Sequence, residues 1–299
     1  MSHLMALLRR GRQMLSSRDD VLGINRRNVE LVLRENPARK LKFADDKLAA
    51  KELLERYGVP VAQTLAVCDG PYAIGKISAQ LEHEQDFVLK PACGGMGRGI
   101  LVVRERLAPG YFRLAGGGEI TLRELGRHMA DTVFGAFSDR LEDRAFVERR
   151  IEAHPALANL WADGLCDFRV LVLRGRALLA MLRVPTSTSG GRANLHCGGV
   201  GLAVDLERGV TTRAVINGAP VSTHPDSSSP LIDVEIPYWR ELVDVALRAA
   251  QAVPLGYLGV DVVLDKHRGP LVLEVNARPG LEIQNVHGLG LISEITRAT

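Results

Sequence analysis

The stretch Gly259-Val260-Asp261-Val262-Val263-Leu264-Asp265, followed after a short polar loop by Leu271-Val272-Leu273-Glu274-Val275-Asn276, reads as two strands of one hairpin. With Lys266 to Gly269 as the loop, Asp265 faces Pro270, Asp261 faces Glu274 and Gly259 faces Asn276. Alternation then places Val260, Val262, Leu264, Leu271, Leu273 and Val275 on an apolar face and Asp261, Glu274 and Asn276 on the other. Two carboxylates directly opposite each other repel unless a positive charge lies between them. Two carboxylates and an amide are hard oxygen donors, which suit Mg²⁺ or Mn²⁺. A hydrated polar face is the plainer alternative. The complete apolar face, and the Arg278-Pro279-Gly280 turn that follows, favour the metal.

Outward from this hairpin, 299 residues at 46% hydrophobic and 24% charged content are enough for one large core or two linked ones, which excludes a wholly disordered chain. Lys+Arg 38 against Asp+Glu 35 is too balanced for a protein that wraps nucleic acid, so no nucleic-acid partner is expected. The surplus lies at the start, where residues 1–42 carry ten basic and four acidic side chains. This basic arm, with Leu4, Leu7 and Leu8 at helical spacing and a second helical run from Asn28 to Glu35, is a candidate surface for a protein partner. No run approaches the ~18 apolar residues of a membrane span, and Cys68, Cys93, Cys166 and Cys197 form no C-x-x-C pair. A cytoplasmic protein with reduced thiols is expected.

Lys90-Pro-Ala-Cys-Gly94-Gly95-Met-Gly97-Arg98-Gly99 follows the apolar run Phe87-Val88-Leu89 and precedes Ile100-Leu101-Val102-Val103. It lacks the Gly-Lys-Ser/Thr of a Walker loop. Strands on both sides predict a glycine hairpin whose backbone N–H groups close over phosphates, with Lys90 as a point charge at its root. Asp45 or Asp46 caps a helix that runs to Tyr57. Lys47 at its first turn is either neutralised by those carboxylates or faces the same nucleotide; the residues leave both open. Ala145 to Glu148 reads as a strand, residues 167–183 as a hairpin about Arg174-Gly175, and residues 185–199 as a polar loop. A two-residue turn at Arg174-Gly175 puts Arg183 and Asp167 on opposite sheet faces. Hairpins with interspersed helices give an α+β fold with mainly antiparallel sheets in two lobes.

Taken in order, Asp46-Lys47, Lys90 with its glycine loop, Glu148-Arg149-Arg150-Ile151, Asp167-Phe168-Arg169, Arg183, Arg192-Ala193-Asn194, Asp261 and Glu274-Val275-Asn276 resemble the ATP-grasp superfamily, in particular its α-L-glutamate ligase branch. The resemblance spans residues 45–285. It implies ATP sandwiched between two α+β lobes, activation of a carboxylate as an acyl phosphate, and attack by an amine to form an amide with release of ADP and phosphate. On this resemblance Lys47 and Lys90 contact the nucleotide and Gly94, Gly95, Gly97 and Gly99 cover its phosphates. Glu148, Arg149 and Ile151 form the adenine hinge, Asp167 binds nucleotide, and Arg183, Arg192 and Asn194 line the phosphate and acceptor side. Asp261, Glu274 and Asn276 hold magnesium, and small-molecule or peptide carboxylates and amines are the substrates. A kinase-type phosphotransferase and a non-catalytic ATP-binding module are the alternatives. The expected organisation is a basic helical extension over 1–44, a lobe with the glycine lid over 45–146 and a lobe with the metal site over 147–299. Replacing either Asp261 or Glu274 by Ala is expected to abolish turnover with the fold intact.

Overall fold

The computed structural model describes residues 19–298 apart from 96, 139–141, 159 and 162–163. Two antiparallel sheets organise them. The first contains β1 (Thr64–Cys68), β2 (Phe87–Pro91), β3 (Leu101–Ala108), β4 (Tyr111–Leu114), β5 (Glu119–Thr121) and β6 (Ala145–Glu148), in the order β1-β6-β2-β3-β4-β5. The second contains β7 (Asp167–Leu173), β8 (Arg176–Val184), β9 (Val200–Val204), β10 (Thr211–Ile216), β11 (Ala219–Val221), β12 (Tyr257–Asp265) and β13 (Gly269–Asn276), in the order β11-β10-β9-β8-β7-β12-β13. This is the expected α+β arrangement. Strand β6 crosses the boundary expected at 146 and pairs with β1 and β2, so Val147 and Glu148 belong to the first sheet.

Alternation gives each sheet a core face and a working face. In the first sheet Phe87, Leu89, Val103, Phe112 and Val147 pack against Ile77, Leu81, Leu125 and Met129 of two helices, Ile74–Leu81 and Leu122–Val133. The second helix starts in a Thr121/Glu124 capping box. Lys90, Phe146 and Glu148 therefore point the other way, into the space between the sheets. In the second sheet Phe168, Val170, Leu182, Val260, Val262 and Leu264 are buried under the helix Trp239–Ala252. Its opposite face is divided. Leu171, Leu179, Met181 and Tyr257 are covered by Leu22, Leu31 and Val32 and by Ile283 and Val286 near the C-terminus, while Asp167, Arg169, Arg183 and Asp261 form a buried charged cluster. The expected helical extension thus contributes core residues; Leu4, Leu7 and Leu8 lie outside the described residues.

Two β-bulges correct the registers read from turn lengths. In the β12–β13 hairpin Asp265 pairs with Gly269 rather than Pro270, and a shift between Asp261 and Val262 restores Asp261 to Glu274 and Gly259 to Asn276. One extra residue on β13 turns Leu271 and Leu273 off the predicted apolar face: they pack with Ala62, Ile151 and Val263, and Val272 takes their place under the long helix. In β7–β8, a shift between Leu171 and Val172 brings Arg183 opposite Asp167, which removes the conflict set by a two-residue turn. Among the described residues no helix is long and apolar enough to cross a membrane, and none of the four cysteines is in a disulfide.

Candidate functional site

Between the sheets lies a cleft of about 410 Å³, lined on one side by Lys47, Lys51, Lys90, Gly94, Gly95 and Glu148 and on the other by Leu273, Glu274, Val275 and Asn276. The helix Lys47–Arg56 forms its roof, and Asp46 caps it by accepting from Ala49 N at 3.0 Å. The other Asp46 oxygen accepts from Arg144 Nη2 at 2.8 Å and Asp45 pairs with Arg278 at 2.8 Å. Neither carboxylate takes the Lys47 ammonium, which donates to the Gly94 carbonyl instead. Lys47 is therefore at the glycine loop, and the first of the two readings, neutralisation by Asp45 or Asp46, does not describe it.

One helical turn on, Lys51 reaches the same cleft and donates to Glu148 Oε2 at 2.9 Å, while Lys90 donates to Glu148 Oε1. Glu148 is buried, and burial alone would raise its pKa; the two ammoniums outweigh that and hold the carboxyl below its usual range. Burial pulls the Lys51 pKa down against the pull of Glu148. One carboxylate gathering two lysines leaves a net positive wall, suited to an anion. Lys51 was not among the residues singled out in the sequence; its i, i+4 spacing from Lys47 is the signal that marks it.

The glycine loop spans β2 to β3, and its sequence is dictated by close contacts. A side chain on Gly94 would strike Pro91 and one on Gly99 would strike Phe137, while Gly97 and Gly99 have φ of +74° and +72°. The Gly99 carbonyl is 2.8 Å from His128 Nε2, which anchors the far end of the loop. From the second sheet Arg192 reaches the loop: its Cδ is 3.9 Å from the position of a Cβ on Gly97. Asn194 Oδ1 caps its own turn by accepting from His196 N at 3.0 Å. Arg149 pairs with Glu84 at 2.9 Å and Ile151 is buried beside Ala62, so neither lines the cleft.

On the facing wall Asp261 is only 1% exposed. It accepts from Arg169 Nε at 2.5 Å and Nη2 at 2.5 Å, and from Arg183 Nη2 at 2.6 Å; Arg183 Nε also donates to Asp167 at 2.5 Å. Gly259 makes this possible, because a Cβ there would lie 2.9 Å from Arg169 Cδ. Burial, with Asp261 close by, pushes Asp167 up to about 7 against the pull of Arg183. Burial would raise Asp261 too, but Arg169 and Arg183 keep it below the usual carboxylate range. The structure therefore places Asp261, Asp167 and Arg183 together behind the cleft and Glu274 and Asn276 in its wall. Glu274 makes no hydrogen bond or ion pair among the described residues, and Asn276 Oδ1 accepts from Arg278 N at 2.9 Å. A carboxylate and an amide opposite a lysine wall are the donor set that a hard divalent cation shared with phosphate oxygens requires.

The sugar-transfer associated ATP-grasp family matches residues 26–299 of this sequence. The chain belongs to that family. This ATP-grasp chain is 26% identical over 266 residues to a probable alpha-L-glutamate ligase of Xanthomonas oryzae pv. oryzae, covering 88% of this chain and 66% of the relative. It is 26% identical over 264 residues to the ribosomal protein bS6–L-glutamate ligase of Escherichia coli O81, covering 88% and 65%. It thus spans just under two thirds of the length of these curated relatives. Among solved structures, biotin carboxylase from Campylobacter jejuni shares the fold, with a TM-score of 0.53 at 17% identity over 86% of this chain and 46% of that one.

Proposed function

We propose that this protein is an ATP-dependent carboxylate–amine ligase that forms an amide through an acyl phosphate. The observation that carries the reading is the cleft itself: Lys47, Lys51 and Lys90 converge with the glycine loop on one wall, opposite Glu274 and Asn276 on the other. Its volume of about 410 Å³ falls in the range of small-molecule sites. Lys47, Lys90 and the N–H groups of Gly94, Gly95, Gly97 and Gly99 hold the phosphates, and of the expected Glu148–Ile151 hinge only Glu148 faces the cleft, Arg149 and Ile151 being turned to Glu84 and to Ala62. Glu274 and Asn276 would hold Mg²⁺, whereas Asp261, expected from the sequence as a third donor, has both oxygens taken by Arg169 and Arg183 behind the cleft. When bound, the ion neutralises charge on the phosphates.

A carboxylate oxygen of the donor attacks the γ-phosphorus and ADP leaves. The amine nitrogen then attacks the acyl carbon, phosphate departs and the nitrogen loses a proton. Arg183 and Arg192 place positive charge where this charge develops, and Asp167 holds Arg183 in line. Asn194 lines the acceptor side. The names of the relatives point to the substrate class: glutamate or another amino acid as one partner and a peptide or protein as the other, one bringing the carboxylate and the other the amine. The basic residues ahead of Lys47 are the surface proposed for a protein acceptor, and the cytoplasm, where ATP and free thiols coexist, is the proposed place of action.

The test is ADP release in the presence of ATP, Mg²⁺, L-glutamate and a panel of amino-acid and peptide amines, with products analysed by mass. ADP release that needs both acid and amine, with an amide product, is expected. Release of AMP, or a stable phosphorylated product as a phosphotransferase would give, overturns the ligase reading; ATP binding without turnover across the panel leaves a binding module.

A further inference from the structure

We propose that Arg27 and Asn36 are positioning residues for the metal-binding end of β13. The inference rests on the reading of Glu274 and Asn276 as metal donors. Both residues come from the helical segment ahead of the roof helix Lys47–Arg56. There Ile24–Arg26, a π-helical turn over Arg27–Val32 and Leu33–Glu35 form one continuous helix. The π turn faces Arg27, Leu31 and Val32 inward together.

Arg27 is 7% exposed, and among the described residues no carboxylate pairs with it. Its guanidinium donates to Asn28 Oδ1 and, more than 250 residues along the chain, to the carbonyls of Arg278 at 3.2 Å and Pro279 at 2.8 Å. A buried cation without a counter-ion is costly unless its hydrogen bonds are made, and a leucine would fill the same space without that cost. Two of those bonds go to the second and third residues beyond the end of the metal strand. Asn36, 3% exposed, clamps the other side: its Nδ2 donates to the carbonyls of Tyr257 at 2.8 Å and Ala277 at 2.9 Å, and its Oδ1 accepts from Tyr257 N at 3.0 Å.

The chain of contacts runs straight to the site. Asn36 holds Ala277, Arg27 holds Arg278 and Pro279, and the Arg278 amide in turn holds the Asn276 side-chain oxygen at 2.9 Å. The carboxamide is thereby fixed in one orientation before any ion arrives, which is how outer contacts tune a metal donor.

The test uses the full chain with Arg27→Met, Asn36→Ala and the conservative Arg27→Lys. Two readouts are independent of turnover: hydrogen exchange across residues 270–280 in metal-free protein, and Mn²⁺ binding followed by electron paramagnetic resonance with ATP present. Arg27→Met and Asn36→Ala are expected to speed exchange in 275–280 selectively and weaken Mn²⁺ about 10-fold, with ATP affinity in the absence of metal unchanged. Arg27→Lys, which keeps a donor for the Pro279 carbonyl, recovers most of the Mn²⁺ affinity. Variants that fold and bind Mn²⁺ like the wild type overturn the inference, as does exchange that rises evenly over the whole second sheet. If Arg27→Met does not fold, Asn36→Ala and Arg27→Lys carry the comparison. A wild type that takes up no Mn²⁺ overturns the metal reading and this inference with it.

Discussion

Asp261 and Glu274 sit opposite each other on adjacent strands, yet their surroundings make them unequal. Asp261 is the counter-ion of the buried Arg169 and the mostly buried Arg183; Glu274 is half-buried without a partner among the described residues. Asp261→Ala leaves the buried Arg169 without its counter-ion and Arg183 with Asp167 alone, so it is expected to cost about 3–5 kcal/mol of stability. Glu274→Ala is expected to change stability by less than about 1 kcal/mol and still abolish turnover. Urea unfolding of the two variants separates them, and equal destabilisation would refute the distinction. The expectation that either residue can be removed with the fold intact is accordingly kept for Glu274 and withdrawn for Asp261, whose two oxygens neutralise Arg169 and Arg183. Asp167 supplies the pH signature. Its carboxyl rises from about 4 in the unfolded chain to about 7 in the fold, so its contribution to stability is full below pH 4 and drains away as pH rises through 7. The slope is at most about 1.4 kcal/mol per pH unit. Thermal unfolding between pH 5 and 8 is expected to show a shallower fall for Asp167→Asn than for the wild type; parallel curves would remove Asp167 as the source. Glu148, with its lowered pKa, acts oppositely and loses its contribution only as pH falls below the usual carboxylate range.

Among the elements, the roof helix Lys47–Arg56 shows how a cap serves a site. Asp46 both starts the helix and ties it to Arg144, and its first residue then presents Lys47 to the glycine loop. Asp46→Ala is expected to cost about 1 kcal/mol and to weaken ATP binding more than Asp45→Ala does. Calorimetric titration of ATP into both variants checks this. The cap, the strands at Ala145–Glu148 and in the β12–β13 hairpin, and the glycine loop were legible because each is a local pattern. The short strands β4, β5 and β11 were not, since 3 or 4 residues carry too little alternation to stand out from turns. The bulges escaped for a different reason: an extra residue costs nothing locally and is selected by what lies across the sheet. Arg183 meets Asp167 only because one residue of β8 is left out of the ladder.

Across the whole molecule, the cleft joins two sheets that share little chain, so ligand binding should stabilise both together. At ATP and Mg²⁺ concentrations about 100 times the Kd, linkage predicts a gain near 2.7 kcal/mol. Thermal unfolding should show this gain in the wild type, the metal-dependent part missing in Glu274→Gln, and the ATP-dependent part reduced in Lys51→Met. A Glu274→Gln variant that keeps the metal increment would show that the ion binds elsewhere. The sequence by itself determined the α+β class, the acidic hairpin, the glycine loop with its lysines and the ordered motifs of the family, because hydrophobic alternation, turn residues and motif spacing are properties of neighbours along the chain. Only the tertiary structure decided that Asp261 is already claimed by Arg169 and Arg183, that Lys51 joins Lys90 on Glu148, and that Arg27 and Asn36 grip the end of β13. Those pairings join residues far apart in sequence, and a buried charge takes whichever partner the packing brings within a hydrogen bond of it.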